Sequence, residues 1–183
     1  MSYEAAKEKA WAELFKLGLS GKEEIRFFGE SFQADPDTRS VVSLLNLQPA
    51  KDFESVIILH YLAARLKGLP HLTGEWLTFR ELSGVEGYTE AFQRRVISPL
   101  VNKFGDEPQK VSLCLSRLPG KKYDGPEAGV IVEPLAGVPS LMKVWAKDAE
   151  FEASANLYFD RSILKVFCTE DIVVLAGFVA SRL

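Results

Sequence analysis

The chain has 183 residues, of which 47% are hydrophobic and 26% are charged. These values are typical of a globular protein and exclude intrinsic disorder as a description of the whole chain. The formal net charge is −3, and the sequence contains no run of lysines and arginines. Nucleic acid is therefore not expected as a partner, because phosphate binding needs a basic surface.

The two cysteines, Cys114 and Cys168, lie far apart in the sequence, each among apolar neighbours. A zinc or iron–sulfur site made of cysteines alone requires more thiolates than one subunit of this protein can supply. The sequence therefore predicts no metal site of that kind and leaves any cofactor unknown. We expect both thiols to be buried as small hydrophobic side chains.

The N-terminal residues contain no apolar signal core, and no segment approaches the ~18 apolar residues of a membrane span. The expectation is a cytoplasmic protein without a membrane partner.

The first predicted element is a helix over residues 3–17, because apolar residues recur there at helical spacing and Gly18 follows. Two strands are predicted next, over residues 24–32 and 41–47. The segment 35–38 between them has the composition of a turn, so the two strands are expected to form a hairpin.

The second predicted helix, over residues 52–67, is apolar on nearly every side. Asp52 is a plausible N-cap, and Gly68 and Pro70 end the helix. A helix without a wide polar face must be covered on more than one side. This is therefore expected to be the central helix of the domain.

The remaining sequence alternates loops, helices and strands. Residues 71–87 are expected to form a loop, and residues 89–104 a helix that is capped by Thr89 and kinked or divided at Pro99. The other predicted elements are a short helix at 107–117, strands at 128–132, 141–145 and 151–159, and a terminal helix capped by Thr169. Strands in two groups separated by helices predict a single α+β domain over 1–183, with a largely antiparallel sheet packed with helices.

The sequence contains no phosphate-binding loop, nucleophile elbow or zinc-protease motif. Its two histidines are His60 and His71. His60 lies on the apolar stripe of the central helix, where two interpretations are open. It is either an acid–base group that reaches into a pocket or a neutral buried histidine bonded to a carbonyl or carboxylate group. His71 follows Pro70 in a loop and is expected to be solvated.

The densest polar cluster consists of Glu75, Arg80 and Glu81, framed by Trp76 and Phe79. An arginine between two glutamates can hold a carboxylate or phosphate, which leaves one glutamate free for acid–base work. The alternative is an Arg–Glu pair that attaches a loop to the core, with the two aromatic residues as apolar anchors.

A second cluster, Asp148 and Glu150, lies between Trp145 and Phe151. Because residues two apart in an extended segment point to the same side, these carboxylates are expected to face together. They would then bind a cation or basic group, or act as an acid–base pair. The alternative is a solvated turn between two strands. Asp160 is expected to cap or turn the chain.

Several short motifs follow one another in a characteristic order along the sequence. They are His60-Tyr61-Leu62, Gly74-Glu75-Trp76, Phe79-Arg80-Glu81, Gly87-Tyr88, Phe92, the segment from Trp145 to Phe151, and Leu157-Tyr158-Phe159-Asp160. In this order, over about residues 24–175, the chain resembles domain of unknown function 3786, an uncharacterised family of anaerobic bacteria and archaea.

The resemblance implies a context and no mechanism. Some relatives resemble fusions to a cysteine-rich iron–sulfur segment of the kind seen in corrinoid and one-carbon enzymes, which implies such systems as partners. The present sequence contains no such segment. A family pattern of the form Trp-x-x-Asp-Glu-Glu-Phe-Pro is matched from Trp145, but Ala149 replaces the middle carboxylate and Glu152 replaces the proline. Of the three acids, Asp148 and Glu150 remain.

Three functions are open at this point. The first is a binding or accessory module of anaerobic metabolism, without catalysis of its own. It would hold a small molecule, cofactor or protein partner through Trp76, Arg80, Tyr88, Trp145, Asp148 and Glu150. The second is a cofactor-independent hydrolase or isomerase, whose candidate catalytic residues are His60, Glu75, Arg80 and Glu81. The third is a structural or oligomerising protein.

Overall fold

Two antiparallel sheets and the helices packed around them make up the computed structural model, which describes residues 2–183. The α-helices are α1 (Tyr3–Lys16), α2 (Asp52–Lys67), α3 (Thr89–Phe92), α4 (Ser98–Phe104) and α5 (Thr169–Ser181). The strands are β1 (Glu23–Phe27), β2 (Glu30–Asp35), β3 (Ser40–Ser43), β4 (Trp76–Thr78), β5 (Gly120–Lys122), β6 (Ala128–Leu135), β7 (Val138–Trp145) and β8 (Ser154–Asp160). The predicted α+β class is confirmed.

The first sheet has the strand order β1-β2-β3, and the second has the order β4-β8-β7-β6-β5. Every pair of neighbouring strands in both sheets is antiparallel. A bulge between Val132 and Leu135 bends β6. Among residues 2–183, no helix has the length and apolar character needed to cross a membrane.

The prediction of one continuous strand over residues 24–32 is wrong. The chain reverses at Phe28 and Gly29, whose φ angles are 53° and 84°. Left-handed backbone at both central positions is the geometry of the two-residue turn that joins tightly twisted antiparallel strands. The sequence does not indicate this turn, because a bulky residue such as Phe28 rarely adopts a positive φ. The expected hairpin does form further on, between β2 and β3.

Helix α2 is the central helix, and its predicted bounds are confirmed. Ile58, Leu59 and Leu62 are fully buried, because α2 packs against α1, α5, β1 and β3. The helix ends at Gly68, whose φ of 92° favours glycine.

Each of the three predicted N-caps is instead the first residue of its helix, as Thr89 is in α3, which begins after Tyr88. Asp52 is the first residue of α2, and the Glu54 carboxylate accepts a hydrogen bond from the Lys51 N–H at 3.2 Å. Thr169 is likewise the first residue of α5, which begins after Cys168. In both cases an acidic first turn complements the positive end of the helix dipole.

The predicted division of the helix over residues 89–104 is confirmed. A π-helical segment, Gln93–Ile97, lies between α3 and α4, and Pro99 is the second residue of α4. Proline has no N–H to donate to the carbonyl four residues before it, so a regular α-helix cannot continue through this point. The wider π-turn absorbs the mismatch. The predicted helix at 107–117 is a 3₁₀ helix over Pro108–Ser116.

Strand β8 has the alternation that the sequence predicts, but it starts later than expected. Leu157 and Phe159 are fully buried, whereas Phe151 lies before the strand and 69% of it is exposed. The buried face of β8 thus begins only where β7 is available to pair with it.

Asp160, the last residue of β8, fastens this strand to the loop before β4. Its carboxylate accepts hydrogen bonds from the N–H and hydroxyl of Thr73 at 3.1 and 3.0 Å, from the Gly74 N–H at 2.8 Å and from the Ser162 N–H at 2.9 Å. Asp160 is 2% exposed. Burial opposes its charged form, but these hydrogen bonds outweigh burial and lower its pKa to about 2. The expected capping role is confirmed.

The low pKa of Asp160 predicts a pH-dependent contribution to stability. Its folded-state pKa is about 2, compared with an ordinary value of 3.8. The charged form therefore adds on the order of 2 kcal/mol to the free energy of unfolding above pH ~4, and this contribution is lost as the pH falls toward 2. Asp160→Asn should lower the free energy of unfolding at neutral pH and flatten its decrease in acid. Urea unfolding at a series of pH values measures both effects.

A matched control for this experiment is Asp124→Asn, because Asp124 is exposed and accepts no hydrogen bond from the described residues. It should leave the pH profile of the wild type unchanged. Identical profiles for Asp160→Asn and the wild type would contradict the role assigned to Asp160.

Candidate functional site

A groove with a volume of about 460 Å³ lies between α1, α2 and the start of α5. Its walls are largely apolar, because α1 and α2 turn small and aromatic side chains toward each other. The wall residues include Tyr3, Ala6, Phe53, Val56, Ile57 and Ala63. Enclosed apolar walls with a few polar groups are typical of small-molecule sites.

A histidine–aspartate pair forms part of the groove wall. His60 Nδ1 lies 2.8 Å from Asp171 Oδ2, which joins the middle of α2 to the first turn of α5. The Asp171 side chain is 9% exposed and that of His60 is 33% exposed. His60 thus bonds a carboxylate, as one of the two interpretations proposed, but it is not fully buried and also lines the groove. Since Nδ1 is engaged by Asp171, Nε2 is the nitrogen available to a molecule in the groove.

The two cysteines differ in environment, which corrects the expectation that both are buried. Cys114 is buried, and burial raises its pKa to about 11. Cys168 is exposed and lines the groove, because it occupies the N-cap position of α5 at the surface. Partial burial and the Asp171 carboxylate raise the pKa of Cys168 as well. Neither thiol is therefore activated as a nucleophile.

Charged side chains surround the groove. Lys67 forms an ion pair with Glu13, and this lowers the pKa of Glu13. Lys9 and Lys165 also line the groove, and their side chains make no hydrogen bond or ion pair with any residue in 2–183. With the carboxylates of Glu170 and Asp171, the lining carries positive and negative groups in equal number.

Tyr88, one of the predicted ligand-binding residues, lies half-buried beside this region. Its hydroxyl donates a hydrogen bond of 2.8 Å to the carboxylate of Glu170, which lines the groove. That hydrogen bond raises the pKa of Tyr88. Tyr88 thus holds one rim residue in place.

The expected pairing of Arg80 with a glutamate is not formed. Glu75 instead pairs with Arg161, whose Nη2 lies 2.7 Å from Glu75 Oε1, and this ion pair lowers the pKa of Glu75. Glu81 accepts hydrogen bonds from the N–H and hydroxyl of Thr78, both at 2.7 Å. The loop is therefore attached by an Arg–Glu pair, as one interpretation expected, but the arginine comes from the segment after β8.

The structure does not bring the four candidate catalytic residues together. His60 lines the groove, whereas Glu75, Arg80 and Glu81 do not. Arg80 lines a separate cavity beside Phe79 and Phe92. Trp76 is half-buried in β4, next to that region.

The expected alignment of Asp148 and Glu150 on one side of an extended segment is wrong. Asp148 Oδ1 accepts hydrogen bonds from the Glu150 N–H at 2.8 Å and the Phe151 N–H at 2.7 Å, which makes a tight turn. These backbone donors lower the pKa of Asp148. Asp148 also lines a shallow depression with Trp145, which is half-buried. The solvated-turn alternative is the one that the geometry matches.

Sequence reasoning missed Asp171, Arg161 and Cys168 as neighbours of the candidate residues. Asp171 lies in the acidic first turn of α5, which complements the helix dipole, and no local signal indicates that it also faces α2. Within residues 2–183, no group of three or more His, Cys, Asp and Glu side chains is arranged to hold a metal ion.

Comparison with known proteins places this architecture in a family. The family model described as Domain of unknown function (DUF3786) matches residues 9–182. No curated protein and no solved structure shows significant similarity to the chain. The match begins within α1 and includes α2 and α5, so it contains both members of the His60–Asp171 pair. The chain therefore belongs to the DUF3786 family.

Proposed function

We propose that this protein is a binding module for a small amphipathic molecule, held in the groove between α1, α2 and α5. The observation that carries this proposal is a groove of about 460 Å³ whose largely apolar walls contain the His60–Asp171 pair, with further charged side chains around it. An apolar body would occupy the space beside Ile57 and Ala63, and its burial would supply the affinity.

The histidine–aspartate pair gives this ligand its orientation. In the tautomer that donates its Nδ1–H to Asp171, His60 presents Nε2 as a hydrogen-bond acceptor. A hydroxyl or N–H group of the ligand would donate to Nε2.

The resemblance to a family of anaerobic bacteria and archaea supports a setting for this module. We propose that it works in the cytoplasm as an accessory to anaerobic metabolism. The relatives that resemble fusions to iron–sulfur segments support an iron–sulfur or corrinoid system as its partner.

A second candidate function is cofactor-independent acid–base catalysis. It is favoured by the His60–Asp171 contact of 2.8 Å, since a carboxylate on Nδ1 fixes the tautomer of a histidine base. Of the four residues proposed for this role, His60 alone lines the groove. Mass spectrometry distinguishes the two functions. A binding module releases its ligand with an unchanged mass, whereas an enzyme converts it to a product of different mass or structure.

The two histidines provide a matched test of ligand retention. Protein purified without denaturation should carry a small molecule visible as an added mass in native mass spectrometry. His60→Asn should reduce the bound fraction several-fold, up to about tenfold, because the ligand loses its hydrogen bond to Nε2. His71→Asn should leave it unchanged, because His71 is exposed in a loop outside the groove. Equal retention by the two variants would argue against the groove as the binding site.

Filling the groove should block it without disturbing the rest of α1. Ala6 is half-buried and lines the groove, whereas Ala12 is exposed on the same helix and does not. Fluorescence titration with 1-anilinonaphthalene-8-sulfonate, an apolar anion, should show saturable binding to the wild type. Ala6→Trp should lower this affinity at least about tenfold, because the indole occupies the space of the probe.

The control for the titration is Ala12→Trp, which adds the same side chain to α1 outside the groove. It should bind the probe as the wild type does. If Ala6→Trp and Ala12→Trp bind the probe equally, the groove is not the site at which it binds.

The thiols report access to the groove independently. With 5,5′-dithiobis(2-nitrobenzoic acid), Cys168 should react at least about tenfold faster than buried Cys114, and Cys168→Ser should remove the fast phase. The anilinonaphthalene probe should slow the fast phase, because Cys168 lines the groove. If the probe does not change the rate of the fast phase, the probe and Cys168 do not share the groove.

A further inference from the structure

A second cavity, of about 260 Å³, lies where the end of β4, strand β8, helix α3 and the π-helical segment meet. It shares no lining residue with the groove. Its polar lining includes Arg80, Gln93 and Asn156. These three residues come from three separate parts of the chain, so the fold assembles them.

Polar groups without a protein partner line this cavity. Arg80 and Gln93 are exposed, and the Arg80 guanidinium and the Gln93 amide have no hydrogen-bond partner among residues 2–183. Asn156 uses its carbonyl oxygen to accept from the Leu157 N–H at 2.9 Å, so its NH₂ group is free to donate.

No carboxylate lines the cavity to compete for these donors. Glu81, the residue next to Arg80, is held by its hydrogen bonds to Thr78. The Thr78 hydroxyl donates to Glu81, and the Thr89 hydroxyl donates to the Val85 carbonyl. The free groups that remain carry one positive charge and amide N–H bonds, which is the chemistry that recognises an oxyanion.

An aromatic pair forms the apolar side of the cavity. The rings of Phe79 and Phe92 are stacked, with centroids 3.9 Å apart and planes 5° from parallel. Both residues are almost fully buried, at 3% and 4% exposure. Ile97 and Ala155 complete this side. A bound molecule would therefore meet donors on one side and a rigid apolar surface on the other.

The π-helical segment contributes to the same cavity. Gln93 and Ile97 are its first and last residues, and both line the cavity. A π-turn is less stable than an α-turn and recurs at functional sites, where it reorients side chains. Here it places an amide and an aliphatic group beside Arg80.

We propose that this cavity binds the carboxylate or phosphate group of a small organic anion. Arg80 would engage two oxygens of the anion through its planar fork, and the amides of Gln93 and Asn156 would donate to the oxygens that remain. The organic part of the anion would lie against the apolar lining, to which Ile97 and Ala155 also contribute. This site is independent of the groove and adds a second ligand class to the protein.

Nuclear magnetic resonance titration of ¹⁵N-labelled protein tests the proposal with sodium benzoate and phenyl phosphate as probes. At least one probe should shift the Arg80 Nε–H and the side-chain amides of Gln93 and Asn156 in a saturable manner. Tighter binding of benzoate identifies a carboxylate as the preferred group, and tighter binding of phenyl phosphate identifies a phosphate. Sodium acetate should bind more weakly than benzoate, because it has less apolar surface to bury against the apolar lining of the cavity.

Arginine variants decide whether Arg80 is the anchor. Arg80→Gln should weaken binding of the preferred probe at least about tenfold. Arg80→Lys should give an intermediate loss, because it keeps the charge but not the fork. Arg94→Gln should bind as the wild type does, because Arg94 is exposed in the same π-helical segment and does not line the cavity.

Absence of saturable shifts at these side chains, or equal binding by Arg80→Gln and the wild type, would overturn the proposal. The Ala6→Trp variant tests whether the probes bind in this cavity or in the groove between α1, α2 and α5. It should leave the benzoate and phenyl phosphate titrations unchanged, because Ala6 does not line this cavity.

Discussion

The burial of α2 is the constraint on which the remainder of the structure depends. Ile58, Leu59 and Leu62 are fully buried, and α1, α5 and the first sheet must surround them. Burying one large aliphatic side chain contributes about 1.5–3 kcal/mol, so the cost of leaving any side of α2 uncovered is large. The groove lies between α1, α2 and the start of α5, and His60 of α2 lines it. The candidate site is thus a consequence of how the core is closed.

Buried polar contacts hold the loop before β4 in position more strongly than exposed ones do. The Asp160 carboxylate is 2% exposed and accepts four hydrogen bonds, which fastens β8 to the loop before β4. The Glu75–Arg161 pair spans the same junction, but both side chains are about half exposed, and solvent screens such pairs strongly. Asp160 therefore determines the position of this loop, and the exposed pair only supplements it. The cavity at Arg80 follows, because β4 and β8 form two of its sides.

The sequence predicted those elements whose signal is local. The bounds of α2 follow from its apolar residues and from Gly68, and the alternation of β8 follows from the period of a half-buried strand. Pro99 predicted the division between α3 and α4, because proline interrupts the helical hydrogen bonds within one turn of its own position. The turn at Phe28 and Gly29 was missed, since a bulky residue with a positive φ is stable only when the rest of the sheet holds it in place.

The site shows the same division between local and distant information. The sequence by itself determined that His60 lies on the core helix, that Asp160 ends a strand and that the chain belongs with the DUF3786 family. Only the tertiary structure decided the partners, because His60 and Asp171 are 111 residues apart and Glu75 and Arg161 are 86 apart. Pairing over such distances leaves no periodicity in the sequence, since it depends on where whole elements pack rather than on the residues beside each partner.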